Sequence, residues 1–160
     1  AGYTPAQMME AGLVRRSERD QSLYSFFRDR VMFPVADRRG RVVAFGGRVL
    51  PEHLRPLAPG ASKPPKYINS GETALFHKGR MLFNESRARQ AAAAGQPVIV
   101  VEGYVDVIGC CAAGWNGAVA PLGTALTEGQ LAHLWRMADE PVLCFDGDNA
   151  GTRAAQRAAE

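Results

Sequence analysis

Two short apolar runs, each ending in acid, constrain this chain more than any other feature. Val98-Ile99-Val100-Val101 runs into Glu102-Gly103-Tyr104-Val105-Asp106, and Val142-Leu143-Cys144-Phe145 runs into Asp146-Gly147-Asp148. Both runs are rich in β-branched or bulky residues and are bounded by Gly or Pro, the pattern of buried parallel strands. Open α/β sheets collect ligands at the carboxyl ends of such strands. Glu102, Asp146 and Asp148 are therefore expected on one rim. Three carboxylates on a rim repel each other and are costly to desolvate. A hard cation with oxygen ligands relieves both costs. Mg²⁺ (or Mn²⁺) suits best, because it needs only one or two carboxylates and completes its shell with waters and phosphates.

The residues between and around the runs predict the rest of a parallel α/β unit over 97–160. Val107 to Ala113 is a helix ended by Gly114, and Gly117 to Ala120 is a short strand. A loop, Pro121-Leu122-Gly123-Thr124, follows. Thr127 and Gln130 form a capping box that opens a helix to about Ala138. The third strand ends in Asp146, and a last Ala-rich helix runs from Gly151. This alternation implies right-handed crossovers and a parallel sheet.

Residues 1–96 read as a smaller, basic α+β unit. Thr4 caps a short helix with Pro5 at its first position and Gly12 past its end. Arg30 to Val35 and Arg41 to Val49 predict a hairpin around Asp37-Arg38-Arg39-Gly40, with Gly46-Gly47 weakening the second strand. Ser22 to Phe27 is aromatic-rich. Residues 51–65 hold five of the ten prolines and predict an extended loop. Asn84 to Ala94 is a helix stopped by Gly95 and Pro97.

Charge divides the chain in the same place. Residues 1–96 carry sixteen Lys/Arg against eight Asp/Glu, a net +8, whereas 97–160 carry three against eight, a net −5. A basic lobe beside an acidic one suits a polyanion, one lobe holding its backbone and the other doing chemistry. The hairpin arginines (Arg28, Arg30, Arg38, Arg39, Arg41, Arg48) and the cluster Lys66, Tyr67, Asn69, His77, Lys78 and Arg80 are candidates to face phosphates and bases. No window approaches the ~18 apolar residues of a membrane helix, and no signal-peptide pattern opens the chain. Cys110, Cys111 and Cys144 make no metal spacing, which fits free thiols in a reducing, cytoplasmic setting.

Asp-Gly-Asp admits three readings. An EF-hand loop lacks oxygen ligands here at Ala150 and Arg157. A haloacid-dehalogenase-like phosphatase places its Asp pair before most of its domain, and only twelve residues follow Asp148. The third reading joins Asp146 and Asp148 to Glu102. On it, Glu102–Asp106, Ala120–Thr127 and Phe145–Gly151 resemble the Toprim domain of bacterial replicative primases of the DnaG type. Upstream, Arg30–Val35, Gly40–Arg48, Lys66–Ser70 and Phe76–Arg80 resemble successive motifs of that family's catalytic core.

The resemblance implies template-directed synthesis of short RNA primers on single-stranded DNA, from nucleoside triphosphates, during replication. It implies divalent metal at Glu102, Asp146 and Asp148, with Asp106 as a further catalytic acid. It implies a template and nucleotide groove lined by Arg48, Lys66 and Lys78, beside which Asn69 and Arg80 of the same cluster are expected to bind nucleic acid or nucleotide. Further metal-binding aspartates, a zinc-binding domain and a domain for the replicative helicase are expected outside this chain, and zinc only there. The chain is accordingly expected to be a piece of a longer enzyme, with little activity by itself. Other Toprim chemistry (topoisomerase or nuclease) and a non-catalytic single-strand binding module are the alternatives.

Overall fold

The computed structural model describes residues 2–56 and 60–159, so residues 57–59 of the expected proline-rich loop lie outside the described residues. The chain opens with helix α1 (Pro5–Glu10). Thr4 Oγ1 accepts the Gln7 amide, and Gln7 Oε1 accepts the Thr4 amide, closing a capping box. Strands β1 (Val14–Arg16) and β2 (Leu23–Ser25) then pair antiparallel. The aromatic stretch thus forms a hairpin that its sequence did not announce. Arg15 lies 3.7 Å over the Phe26 ring and helps pin it.

The expected long hairpin is present as β3 (Arg30–Ala36) and β4 (Val42–Val49). Asp37 Oδ1 accepts the amides of Arg39 and Arg41, and Gly40 takes φ +79°, which closes the turn. Alternation puts Phe33 and Val35 inside. A third strand, β5 (Tyr67–Asn69), joins β4 antiparallel, with Arg48 opposite Tyr67. That stretch was expected to be a binding surface; it is also the edge of the sheet.

Helix α2 (Glu85–Ala93) leads into the second sheet. There β7 (Ala118–Val119), β6 (Ile99–Val100) and β8 (Val142–Leu143) are parallel, with β6 in the middle. Helices α3 (Tyr104–Ala112), α4 (Glu128–Leu134) and α5 (Asn149–Ala159) fill the crossovers. The fold is therefore an antiparallel α+β unit followed by a parallel α/β unit. One face of the parallel sheet packs Val98, Val100 and Val119 against Leu82, Ala88 and Leu134; the other packs Val101, Ala118 and Ala120 against Val107. Helix α3 begins at Tyr104, three residues before the expected start. Asp106 is thus a first-turn residue whose Oδ2 accepts the Gly103 amide at 3.0 Å.

The two sheets interlock through side chains each lends the other. Tyr104 and Leu122 enter the core of Phe33, Val35, Ala44 and Phe76. A polar tie lies elsewhere between them. Arg38 Nε donates to the buried Glu85 Oε1 at 2.8 Å, and Arg38 Nη2 contacts His133 Nε2. Arg38 can donate there only if Nε2 carries no proton, so the imidazole is neutral. Burial drives the His133 pKa below its ordinary 6.5; the neighbouring Glu85 opposes this, and Arg38 and Arg136 reinforce it. The folded pKa is depressed, so the unfolded chain binds the extra proton first. Stability is then fully present above about pH 6.5 and falls as pH drops below it. Urea midpoints at pH 8 and pH 5.5 check this: His133→Gln is expected to show a smaller loss than the wild-type chain.

Candidate functional site

Parallel pairing determines where the acids meet. Ile99 stands opposite Val142 and Val100 opposite Leu143, and the ladder continues as the Cys144 amide bonds to Val100 O. Glu102 and Asp146 therefore leave adjacent strands at the same end. Glu102 Oε1 accepts the Asp146 backbone N–H at 2.9 Å. Gly151 makes this closeness possible: a Cβ there would stand 2.1 Å from Asp146 O and 2.9 Å from Glu102 Oε1.

Glu102, Asp106 and Asp146 line a cleft of about 430 Å³. Its facing wall is Arg48 on β4 with Lys66, Tyr67 and Asn69 on or beside β5. Arg48 and Lys66 flank the Tyr67 ring at 5.7 and 5.9 Å from its centroid. Acid and base thus share one open cleft, with both cations beside an aromatic ring.

The remaining sequence candidates sit differently. Asp148 does not line the cleft. Its Oδ1 accepts the amides of Ala150 and Gly151, both at 2.8 Å, and caps α5. Those bonds, with Arg153 nearby, hold its carboxyl below the usual range. The expected convergence of three acids is thus two acids plus a helix cap. Lys78 and Arg80 lie on a 3₁₀ turn (Lys78–Arg80) docked on α4, away from the cleft lining. Asn69 lines the cleft, but its amide is committed: Nδ2 donates to Leu122 O at 3.0 Å and Oδ1 accepts from Tyr104 Oη at 2.7 Å. Of the hairpin arginines, Arg48 alone among the described residues lines this cleft. Arg38 and Arg41 pair with Glu85 and Asp37, and Arg30 donates to the Gly47 and Pro65 carbonyls. Tyr67, expected among the groups facing phosphates and bases, lines the cleft, whereas Tyr104 had no role in the sequence. Tyr104 stood within the Glu102–Asp106 motif, where a bulky aromatic directly after a glycine was the available signal.

Among the described residues no three His, Cys, Asp or Glu side chains group closely enough to hold a metal ion. The donor chemistry nonetheless suits a hard cation. Glu102 and Asp146 offer oxygen only, and among the described residues neither carboxylate is in an ion pair. Two carboxylates match what Mg²⁺ takes from protein, with its other positions left to water and phosphate.

Comparison with known proteins gives the class first. The Toprim domain model matches residues 96–160, and the model described as DNA primase catalytic core, N-terminal domain, matches residues 1–89. The chain belongs to the bacterial DnaG-type DNA primases. The DNA primase of Pseudomonas putida is 48% identical over 153 residues, which is 96% of this chain and 22% of that protein. A crystal structure of a DNA primase domain from Pseudomonas aeruginosa superposes with a TM-score of 0.84 at 44% identity, covering 98% of this chain and 47% of that one. A DnaG primase catalytic domain bound to single-stranded DNA gives a TM-score of 0.78 at 41% identity, covering 98% and 46%. The chain thus spans about a quarter of the curated relative and about half of the solved ones.

Proposed function

We propose that this chain is the catalytic-core segment of a longer cytoplasmic primase, which copies single-stranded DNA into short RNA primers by metal-assisted nucleotidyl transfer. The supporting observation is the single cleft that has Glu102 and Asp146 on one wall and Arg48 and Lys66 on the other. In this reading residues 1–96 hold the template and residues 97–160 the chemistry. The replicative helicase is a partner of the longer protein. No helix among the described residues is long and apolar enough to cross a membrane.

Glu102 and Asp146 would hold Mg²⁺ or Mn²⁺, with Asp148 fixing the helix behind them. Such an ion, when bound, activates the attacking hydroxyl and steadies the departing pyrophosphate. The chain's own residues do the rest. Arg48 and Lys66 draw in the triphosphate and the template backbone by charge. Tyr67, 38% exposed, offers a ring for a base to stack on. Asp106, tied to the Gly103 amide, fixes the turn that aims Glu102. Lys78 and Arg80, outside the cleft, would meet template beyond the reacting nucleotide.

Binding of single-stranded DNA by the full-length protein tests the basic wall. Lys66→Ala and Arg48→Ala are each expected to weaken affinity evenly across template sequences. Each should also reduce the slope of log K against log salt by about 0.7, the worth of one single-strand phosphate contact. Unchanged affinity and slope in both variants would remove the basic wall from the reading.

A further inference from the structure

Tyr104 joins the two walls of the cleft. It stands at the first position of α3, two residues past Glu102 and two before Asp106. Its ring crosses to the antiparallel sheet, where it stacks on Phe33 at 4.8 Å and 2° and meets the edge of Phe83 at 4.7 Å. The ring tip lies on Gly46, where any Cβ would stand 2.4 Å from Tyr104 Cζ. The hydroxyl then donates to Asn69 Oδ1 at 2.7 Å, and Asn69 Nδ2 donates to Leu122 O at 3.0 Å. Gly123, next along the chain, leaves room for that amide, since a Cβ there would be 2.8 Å from Nδ2. The chain of bonds thus runs from the acidic wall, across the floor, to Asn69 on β5, the strand that follows Lys66 and pairs with Arg48 on β4, and back to the loop after β7.

The geometry points to Tyr104 and Asn69 as positioning residues: their hydrogen bond sets the spacing between the carboxylates and the cations of the cleft. Each polar group of the pair already has a protein partner in this arrangement, so both act through Glu102, Asp106, Arg48 and Lys66. The consequence for rate rests on the reading of the cleft as a nucleotidyl-transfer site; the spacing itself does not.

Tyr104→Phe tests this, because it keeps the ring packing and deletes only the hydroxyl. Wall spacing is read first, by electron-paramagnetic distance measurement between spin labels at two exposed sites, Val31 on β3 and Ile108 on α3. The expected result is a shift or broadening of about 1 Å, a misplacement large enough to slow chemistry. Asn69→Ala should shift the distances at least as far, because it also deletes the bond to Leu122 O, and adding Tyr104→Phe to Asn69→Ala should change nothing further, since the bond they share is already gone. Primer synthesis by the full-length protein is read second. kcat is expected to fall about tenfold with KM for nucleotide moved less than twofold, the pattern of lost alignment rather than lost binding. An unchanged distance distribution overturns the proposal, and so does a shifted distribution with wild-type kcat. If the full-length wild-type protein makes no primers, the functional reading fails, and the distances alone decide the positioning role.

Discussion

Glu102→Gln in the full-length protein is expected to lower primer synthesis on the order of 10²–10³-fold, the usual cost of removing one preorganised group that stabilises developing charge. The substitution keeps the side chain's length, and its amide oxygen can still accept the Asp146 N–H that Glu102 Oε1 accepts at 2.9 Å. The rim should therefore stay folded while losing a negative charge. Phosphoryl chemistry depends on charge placed where the transition state needs it, so the loss should fall on kcat more than on KM. Asp146→Asn is expected to behave alike, because Asp146 lines the same end of the cleft. Asp148→Asn should cost less, because asparagine also caps helices and Asp148 Oδ1 serves chiefly as the α5 cap. Primer yields that rank Asp148→Asn as the worst of the three would contradict this ordering.

The second large effect is on stability. Gly46→Ala is expected to destabilise the chain by about 3 kcal/mol, the upper end of overpacking costs. The added methyl would stand 2.4 to 2.6 Å from three atoms at the tip of the Tyr104 ring. That ring cannot step aside, being stacked on Phe33 and met by Phe83. β4 cannot yield easily either, since it is paired on both sides, to β3 and β5. Urea denaturation followed by tyrosine and tryptophan fluorescence measures the change. Pairing Gly46→Ala with Tyr104→Ala should recover part of the loss, because the clash then disappears. A midpoint shift below about 0.5 kcal/mol, the size of an ordinary surface substitution, would show that the ring does not rest on Gly46.

What was legible in the sequence follows from how local each signal is. The helix caps at Thr4 and Thr127, the Asp37–Gly40 turn and the two acidic strand ends are written in neighbouring residues, and they appear in the fold where expected. The parallel pairing of the second sheet followed from apolar runs alternating with helices, but the central place of β6 did not. Tertiary partners were not legible. β5 is three residues long and polar, and it becomes a strand only because β4 offers it an edge. Gly46 looked like a weak point in a strand and is instead the seat of a tyrosine 58 positions away, a long-range fit with no local trace. Asn69 looked like a free amide for nucleic acid, but both its polar ends are taken up across the cleft floor. Asp148 has the right residue type and spacing for a ligand, yet α5 begins one residue later and takes its inner oxygen for a cap.

Binding of Mn²⁺ to the full-length protein, followed by its paramagnetic resonance signal, bears most directly on the acidic pair. A bound-metal signal in the wild type that is lost on Asp146→Asn and on Glu102→Gln, but survives Lys66→Ala, is the expected result. A signal of undiminished strength in Asp146→Asn, or none in the wild type, would contradict metal-assisted nucleotidyl transfer at this rim.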